Sequence, residues 1–162
     1  MSTALQLLID HRTPQKATEK NAPAHRLHFM LRFPVATRYS DYDAKGHVNN
    51  AVYFNYFESA RVSALGEHFT RTMEMRDAVD PPIIVAEARI KYVSPARIGE
   101  PLEIEISVAE IRTKGFSFHY RIVDARDNRL VAEGETVQVA YDYEARRTMP
   151  IPPAMRTGLE AM

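Results

Sequence analysis

The sequence predicts an α+β domain in which a five-stranded antiparallel sheet wraps around one long central helix. Three observations carry this. A single stretch, Asn50 to Phe69, places apolar side chains every three or four residues. Five other stretches alternate apolar and polar residues. The order is one strand, then the helix, then four strands in succession, which leaves the helix one place to bury its stripe, along the concave side of a curled sheet.

Residues 12–25, RTPQKATEKNAPAH, combine two prolines with polar and small residues and show no periodicity, so 1–25 reads as a flexible leader. The fold is expected over 26–150, with 151–162 as a C-terminal tail. Leu27, Phe29, Leu31 and Phe33 alternate with His28, Met30 and Arg32, predicting a first strand that runs to about Tyr39. Asp41 to Asn50 follows as a loop of Asp, Gly and Asn. In the helix, Tyr53, Phe57, Ala60, Ala64 and His68 form the stripe and Phe54, Leu65 and Phe69 widen it. Asn49 or Asn50 can cap its start. A shorter helix is expected over 71–79, ended by Asp80-Pro81-Pro82.

Four strands follow. Ile84, Ala86, Ala88, Ile90 and Tyr92 share one face against Glu87, Arg89 and Lys91 on a wet one. Leu102 to Val108 and Phe116 to Ile122 repeat the alternation, and Val131 to Tyr141 closes the series after the hairpin turn Asp124 to Asn128. Such a sheet keeps open edges, so a second copy of the chain is an expected partner, as a homodimer or homotetramer.

Composition excludes more than it identifies. Twenty-one basic residues balance twenty-one acidic ones, which offers no overall field for nucleic acid or a membrane surface. There is no cysteine, hence no disulfide, thiolate nucleophile or thiolate metal site. That fits a reducing, cytoplasmic setting. No apolar run reaches a membrane span, and the start of the chain lacks the pattern of a secretory signal. Six scattered histidines do not reach metal-ligand spacing, and no Gly-rich phosphate loop is present, so neither a metal nor a bound cofactor is expected.

The segment RYSDYDAKGHVNNAVYFNYFESAR, Arg38 to Arg61, resembles the signature of the 4-hydroxybenzoyl-CoA thioesterase-like branch of the hotdog proteins. The form with HVNN is found in that branch among long-chain acyl-CoA thioesterases. The resemblance implies the hotdog fold, hydrolysis of an acyl-CoA thioester whose coenzyme A belongs to the substrate, and a catalytic aspartate three residues before the glycine, here Asp43 before Gly46. Asp43 would be a general base or a nucleophile; read without the resemblance, it is an Asx-turn residue in a tight loop.

The chemistry of the segment suits thioester hydrolysis. The reaction needs a base or nucleophile beside the carbonyl, and donors where the oxyanion forms, worth about 3 kcal/mol each. A helix start supplies such donors, so the backbone at Asn49 and Asn50 can polarise the carbonyl. Gly46 lets the backbone approach a ligand. Asp41 is a turn residue, an ion-pair partner or a second carboxylate raising the pKa of its neighbour. His47 either orients water or caps the turn. Glu58 either pairs with Arg61 or reaches the site as a base. Tyr53, Tyr56 and Phe57 line an acyl tunnel or are core. Arg89, Lys91, Arg97, Arg112 and Lys114 are candidates for the phosphates of coenzyme A, with Arg89 and Lys91 equally suited to pair with Glu103 or Glu105. An acyl-carrier-protein thioesterase, a non-catalytic acyl-thioester binder and a hydratase are the competing readings.

Overall fold

The computed structural model of the chain describes residues 31–69 and 81–162. The expected leader, the start of the first strand and the 71–79 helix lie outside the described residues.

Among the described residues six strands and two helices follow in the order β1 (Leu31–Val35), α1 (Val52–Phe69), β2 (Ile83–Tyr92), β3 (Leu102–Ile111), β4 (Gly115–Asp124), β5 (Leu130–Asp142), β6 (Arg147–Thr148) and α2 (Pro153–Glu160). The strands form one antiparallel sheet in the order β1-β3-β4-β5-β2, with β6 paired to β5. The predicted sheet around a helix is therefore present.

The concave face holds the core. Leu102, Ile104, Ile106 and Val108 of β3 and Phe116, Phe118, Tyr120 and Ile122 of β4 are buried toward α1. From α1 come Tyr53, Tyr56, Phe57, Ala60, Ala64, Leu65 and Phe69. Phe57 stacks on Tyr120 with ring centroids 4.3 Å apart and planes 12° apart. Gly134 of β5 makes room: a Cβ there would lie 2.5 Å from the Phe57 ring and 2.5 Å from the Arg89 carbonyl oxygen.

Several elements differ from expectation. β1 ends at Val35, short of the expected end at about Tyr39, and a 3₁₀ turn occupies Tyr39–Asp41. Phe54 stays 39% exposed, outside the core stripe, and Tyr56 takes a place in it. In β2 the register with β5 shifts between Val85 and Glu87. This bulge at Ala86 inserts one residue and reverses the alternation. Val85 then opposes the inward Gln138 while Ile84 opposes Val139, so Ile84 does not share a face with Ala88, Ile90 and Tyr92. The segment 151–162, read as a tail, contains α2, whose Met155 and Leu159 are buried, as is Met162; the helix packs against α1 and β3.

On the convex face one register level reads Arg32, Glu105, Arg121, Glu133, Lys91 across all five long strands. Glu105 is buried between the guanidinium groups of Arg32 and Arg121, the latter at 2.6 Å, and Lys91 reaches Glu133 at 2.9 Å. Lys91 and Arg89 therefore do not pair with Glu103 or Glu105, whose strand is not adjacent to theirs; Arg89 pairs with Glu87.

Candidate active site

The loop between β1 and α1 is built around a turn at Asp43. The Gly46 N–H donates to the Asp43 carbonyl at 2.9 Å, and the Asp43 N–H to the His47 carbonyl at 2.8 Å. Gly46 has φ +73, a left-handed conformation that costs other residues more than glycine. A Cβ there would meet nothing within 4 Å, so glycine is used for backbone rotation rather than for room.

The Asp43 side chain closes the same turn, its Oδ1 accepting the Lys45 N–H at 2.8 Å and the His47 N–H at 3.2 Å. These donors, Lys45 first, hold the carboxyl below the usual carboxylate range, helped by the charges of His47 and Lys45. Asp43 is therefore an exposed, ionised carboxylate with its direction set by backbone donors. The Asx turn is present, and it presents an anion at the helix start. Asp41 does not raise it.

At the helix start Asn49 is the cap. Its Oδ1 accepts the Ala51 N–H at 3.0 Å, its carbonyl the Val52 N–H at 3.0 Å, and its own N–H donates to the Asp41 carbonyl at 2.8 Å. Those three amides are occupied. The Asn50 carbonyl accepts the Tyr92 hydroxyl at 2.8 Å, which ties the end of β2 to the helix start. Among the described residues no hydrogen bond takes the Asn50 N–H.

A second segment clamps the loop from outside. The Val48 N–H donates to the Ala96 carbonyl at 2.9 Å and the Ile98 N–H to the Gly46 carbonyl at 3.3 Å, so His47 faces Arg97 across an antiparallel bridge. This brings Arg97 beside the Asp43 turn. Among the described residues no carboxylate pairs with its guanidinium, whereas Arg89 and Lys91 are held by Glu87 and Glu133 on the convex side.

The aromatic candidates are core. Tyr53 and Phe57 are buried, Tyr53 meeting the Tyr92 ring edge-on with centroids 5.2 Å apart. Burial pushes the Tyr53 phenol up, partly offset by the Ala96 N–H that it accepts. Glu58, two turns into α1, lies 3.4 Å from Arg61 Nη2. The Arg61 side chain is only 11% exposed and acts on the Tyr120 hydroxyl, which is 2.9 Å from Thr136 Oγ1.

Sequence reasoning missed the Asp41–Tyr56 pair. Asp41 Oδ2 accepts the Arg38 N–H at 2.8 Å and the Tyr56 hydroxyl at 2.9 Å. Burial, then Asp41 itself, pushes the Tyr56 phenol up. Both border a cavity of about 230 Å³ between β1 and α1, walled by Phe33, Val35 and Ile104 on one side and Asn55 and Ser59 on the other. No spacing rule connects residues fifteen apart in a loop and a helix. A second hollow, of about 420 Å³, lies at the β3–β4 turn beside Arg112, Lys114 and the buried Ser117, whose hydroxyl has no hydrogen-bond partner among the described residues. Among the described residues no three acidic or histidine side chains cluster as a metal site, and no helix is long and apolar enough to cross a membrane.

Comparison with known proteins places this geometry. The model of the thioesterase-like superfamily matches residues 37–159. The acyl-CoA thioester hydrolase YbgC of Escherichia coli is 34% identical over 114 residues, covering 70% of this chain and 83% of that protein. Among solved structures, a 1,4-dihydroxy-2-naphthoyl-CoA thioesterase from Synechocystis superposes with TM-score 0.71 at 19% identity, covering 81% of this chain and 96% of that one. A Thermus thermophilus thioesterase solved with coenzyme A and zinc gives TM-score 0.67 at 25% identity, covering 80% and 91%. The sheet around α1 is the hotdog fold of these neighbours.

Proposed function

The chain belongs to the thioesterase-like superfamily, and from that premise we propose that it hydrolyses an acyl-CoA thioester to the free acid and coenzyme A. The observation that carries the reading is the Asp43 carboxylate, ionised and fixed by the Lys45 and His47 amides beside the start of α1. In one route Asp43 takes a proton from water as its oxygen bonds to the carbonyl carbon. In the other the carboxylate attacks, the C–S bond breaks, and water then cleaves the mixed anhydride. In both routes the sulfur leaves as thiolate and is protonated. The Asn50 N–H, at the positive end of the helix dipole, is the donor for the oxyanion.

The second copy has a place. β2 is a ten-residue edge strand whose inward Val85 and Tyr92 are each 46% exposed. The flank of α1 turned away from β1 carries Phe54, Glu58 and Arg61 by helical spacing. A homodimer pairing β2 with β2 covers these side chains and closes a groove for the acyl group beside Glu58; a homotetramer is two such pairs. Arg97, without a carboxylate partner among the described residues and next to the Asp43 turn, takes a phosphate of coenzyme A, with Lys114 as a second cationic position, since Arg112 is held by Glu110 at 2.7 Å.

The test is thiol release across aliphatic and aromatic acyl-CoAs, and with the same acyl group on a carrier protein. Asp43→Asn keeps a side-chain oxygen for the Lys45 and His47 amides, so the turn survives, and kcat falls on the order of a hundred- to a thousand-fold. Undiminished turnover by the folded variant refutes the assignment. Label found in Asp43 after a single turnover in ¹⁸O-water establishes the anhydride route, with water attacking the Asp43 carboxyl carbon.

A further inference from the structure

We propose that Arg129, at the start of the strand β5 hairpin arm, is a positioning residue for Asp43, acting through the segment between β2 and β3; this rests on the hydrolase reading above. Residues 93–101 have little regular structure of their own and include Pro95 and Gly99, the latter at φ +82. Yet this segment supplies both backbone contacts that clamp the Asp43 loop, Ala96 to Val48 and Ile98 to Gly46. Something must hold it in place.

Arg129 is the hub. Its Nη1 donates to Ser94 Oγ at 2.7 Å and to the Pro95 carbonyl at 3.0 Å, and its Nη2 to Glu100 Oε2 at 2.8 Å and to Asp124 Oδ2 at 3.2 Å. Glu100 Oε2 also accepts the Arg97 N–H at 2.9 Å, and the Ser94 hydroxyl donates to the Leu130 carbonyl at 2.7 Å. One guanidinium thus fixes both ends of the turn, before Ala96 and after Ile98. Asp124, fully buried, is held by Arg126 as well, and Glu100 lies 3.3 Å from Arg126.

From Arg129 the contacts run without a gap. Pro95 and Glu100 set Ala96, Arg97 and Ile98; these set Gly46 and Val48 through backbone bonds; His47, between them, gives its N–H to Asp43. The charged groups around Asp43 are His47 and Lys45 on its own loop and Arg97 across the bridge. A planar fork with donors on two edges spans four acceptors, which an ammonium cannot do.

The experiment compares Arg129→Met, Arg129→Lys and Glu100→Gln with Arg121→Met, which removes one of two guanidinium groups from Glu105 on the convex face. Positioning predicts that Arg129→Met lowers kcat about ten-fold or more with little change in KM, since misplacement of order 1 Å is enough. It also moves the acid limb of the kcat profile upward, because a weakened His47 N–H no longer favours the anion. Arg129→Lys and Glu100→Gln fall between, and the Val48 and Ile98 amides exchange faster with deuterium in all three. Arg121→Met leaves the profile where it was.

A folded Arg129→Met or Arg129→Lys enzyme with unaltered kcat, acid limb and exchange overturns the proposal, whatever its Tm. If Arg129→Met does not fold, the Lys and Gln variants decide by the same readouts. Full turnover by Asp43→Asn instead sinks the catalytic assignment of Asp43, and the exchange result then still reports whether Arg129 holds the loop.

Discussion

Replacing Gly134 by alanine is a sharp test of how α1 is seated. The added methyl would stand 2.5 Å from the Arg89 carbonyl oxygen and 2.5 Å from Cε2 of Phe57. Ordinary contact begins near 3.4 Å, so each neighbour must retreat by about 0.9 Å. The Phe57 ring cannot rotate freely, because it is stacked on Tyr120, and the Arg89 oxygen belongs to a strand paired on both sides of the contact. Overpacking costs roughly 1–3 kcal/mol, and backbone on one side places this case near about 3. For a domain of this size that is a loss of roughly 6–12 °C in Tm. Gly46→Ala is the comparison: open space and only the left-handed strain, about 1 kcal/mol. Thermal and urea unfolding followed by circular dichroism read both. A second cycle with Phe57→Leu relieves the ring but not the carbonyl, so rescue should be partial. If Gly134→Ala melts within about 2 °C of the parent, the close seating of α1 on β5 is wrong.

Two further outcomes follow from hydrogen bonds already described. Asn49→Ala removes the Ala51 cap and should cost about 1 kcal/mol, read as a Tm drop of about 2–4 °C, while Asn49→Asp retains most of it; equal loss in both would show that the cap is not the cause. Acid should act through Asp124, held well below the usual range by Arg126 first and then Arg129. A depressed folded-state pKa gives stability that is complete above the ordinary carboxylate value and is lost as pH falls through the folded one. Unfolding midpoints should therefore hold above about pH 4 and decline below it. Asp124→Asn should start lower at neutral pH and decline less in acid; a parallel decline would contradict this.

How far the sequence could be read depended on how each element is stabilised. β3 and β4 turn an apolar face to α1 and show it as alternation over Leu102 to Val108 and Phe116 to Ile122, so their positions were legible. β2 was legible as a strand but not in phase, because Ile83 to Ala86 are all apolar and give no sign of which residue the bulge extrudes. α2 lies in the segment read as a tail, although Met155, Leu159 and Met162 already had helical spacing. In the site, the Asp43 turn was legible through Asp and Gly three apart, since both the side-chain cap and the positive φ have residue signatures. The Ala96 and Ile98 clamp was not, because backbone-to-backbone bonds leave no mark on residue identity.

The two borders of the sheet are unequal. Among the described residues β1 carries Pro34, which brings no N–H to a neighbour, while the ten residues of β2 include no proline. Head-to-tail growth into a fibril needs two receptive borders on every molecule. In the proposed homodimer one border is blunted by Pro34, so strand addition would end once two β2 edges have met, and that edge would be closed in a pair rather than left to recruit a third chain.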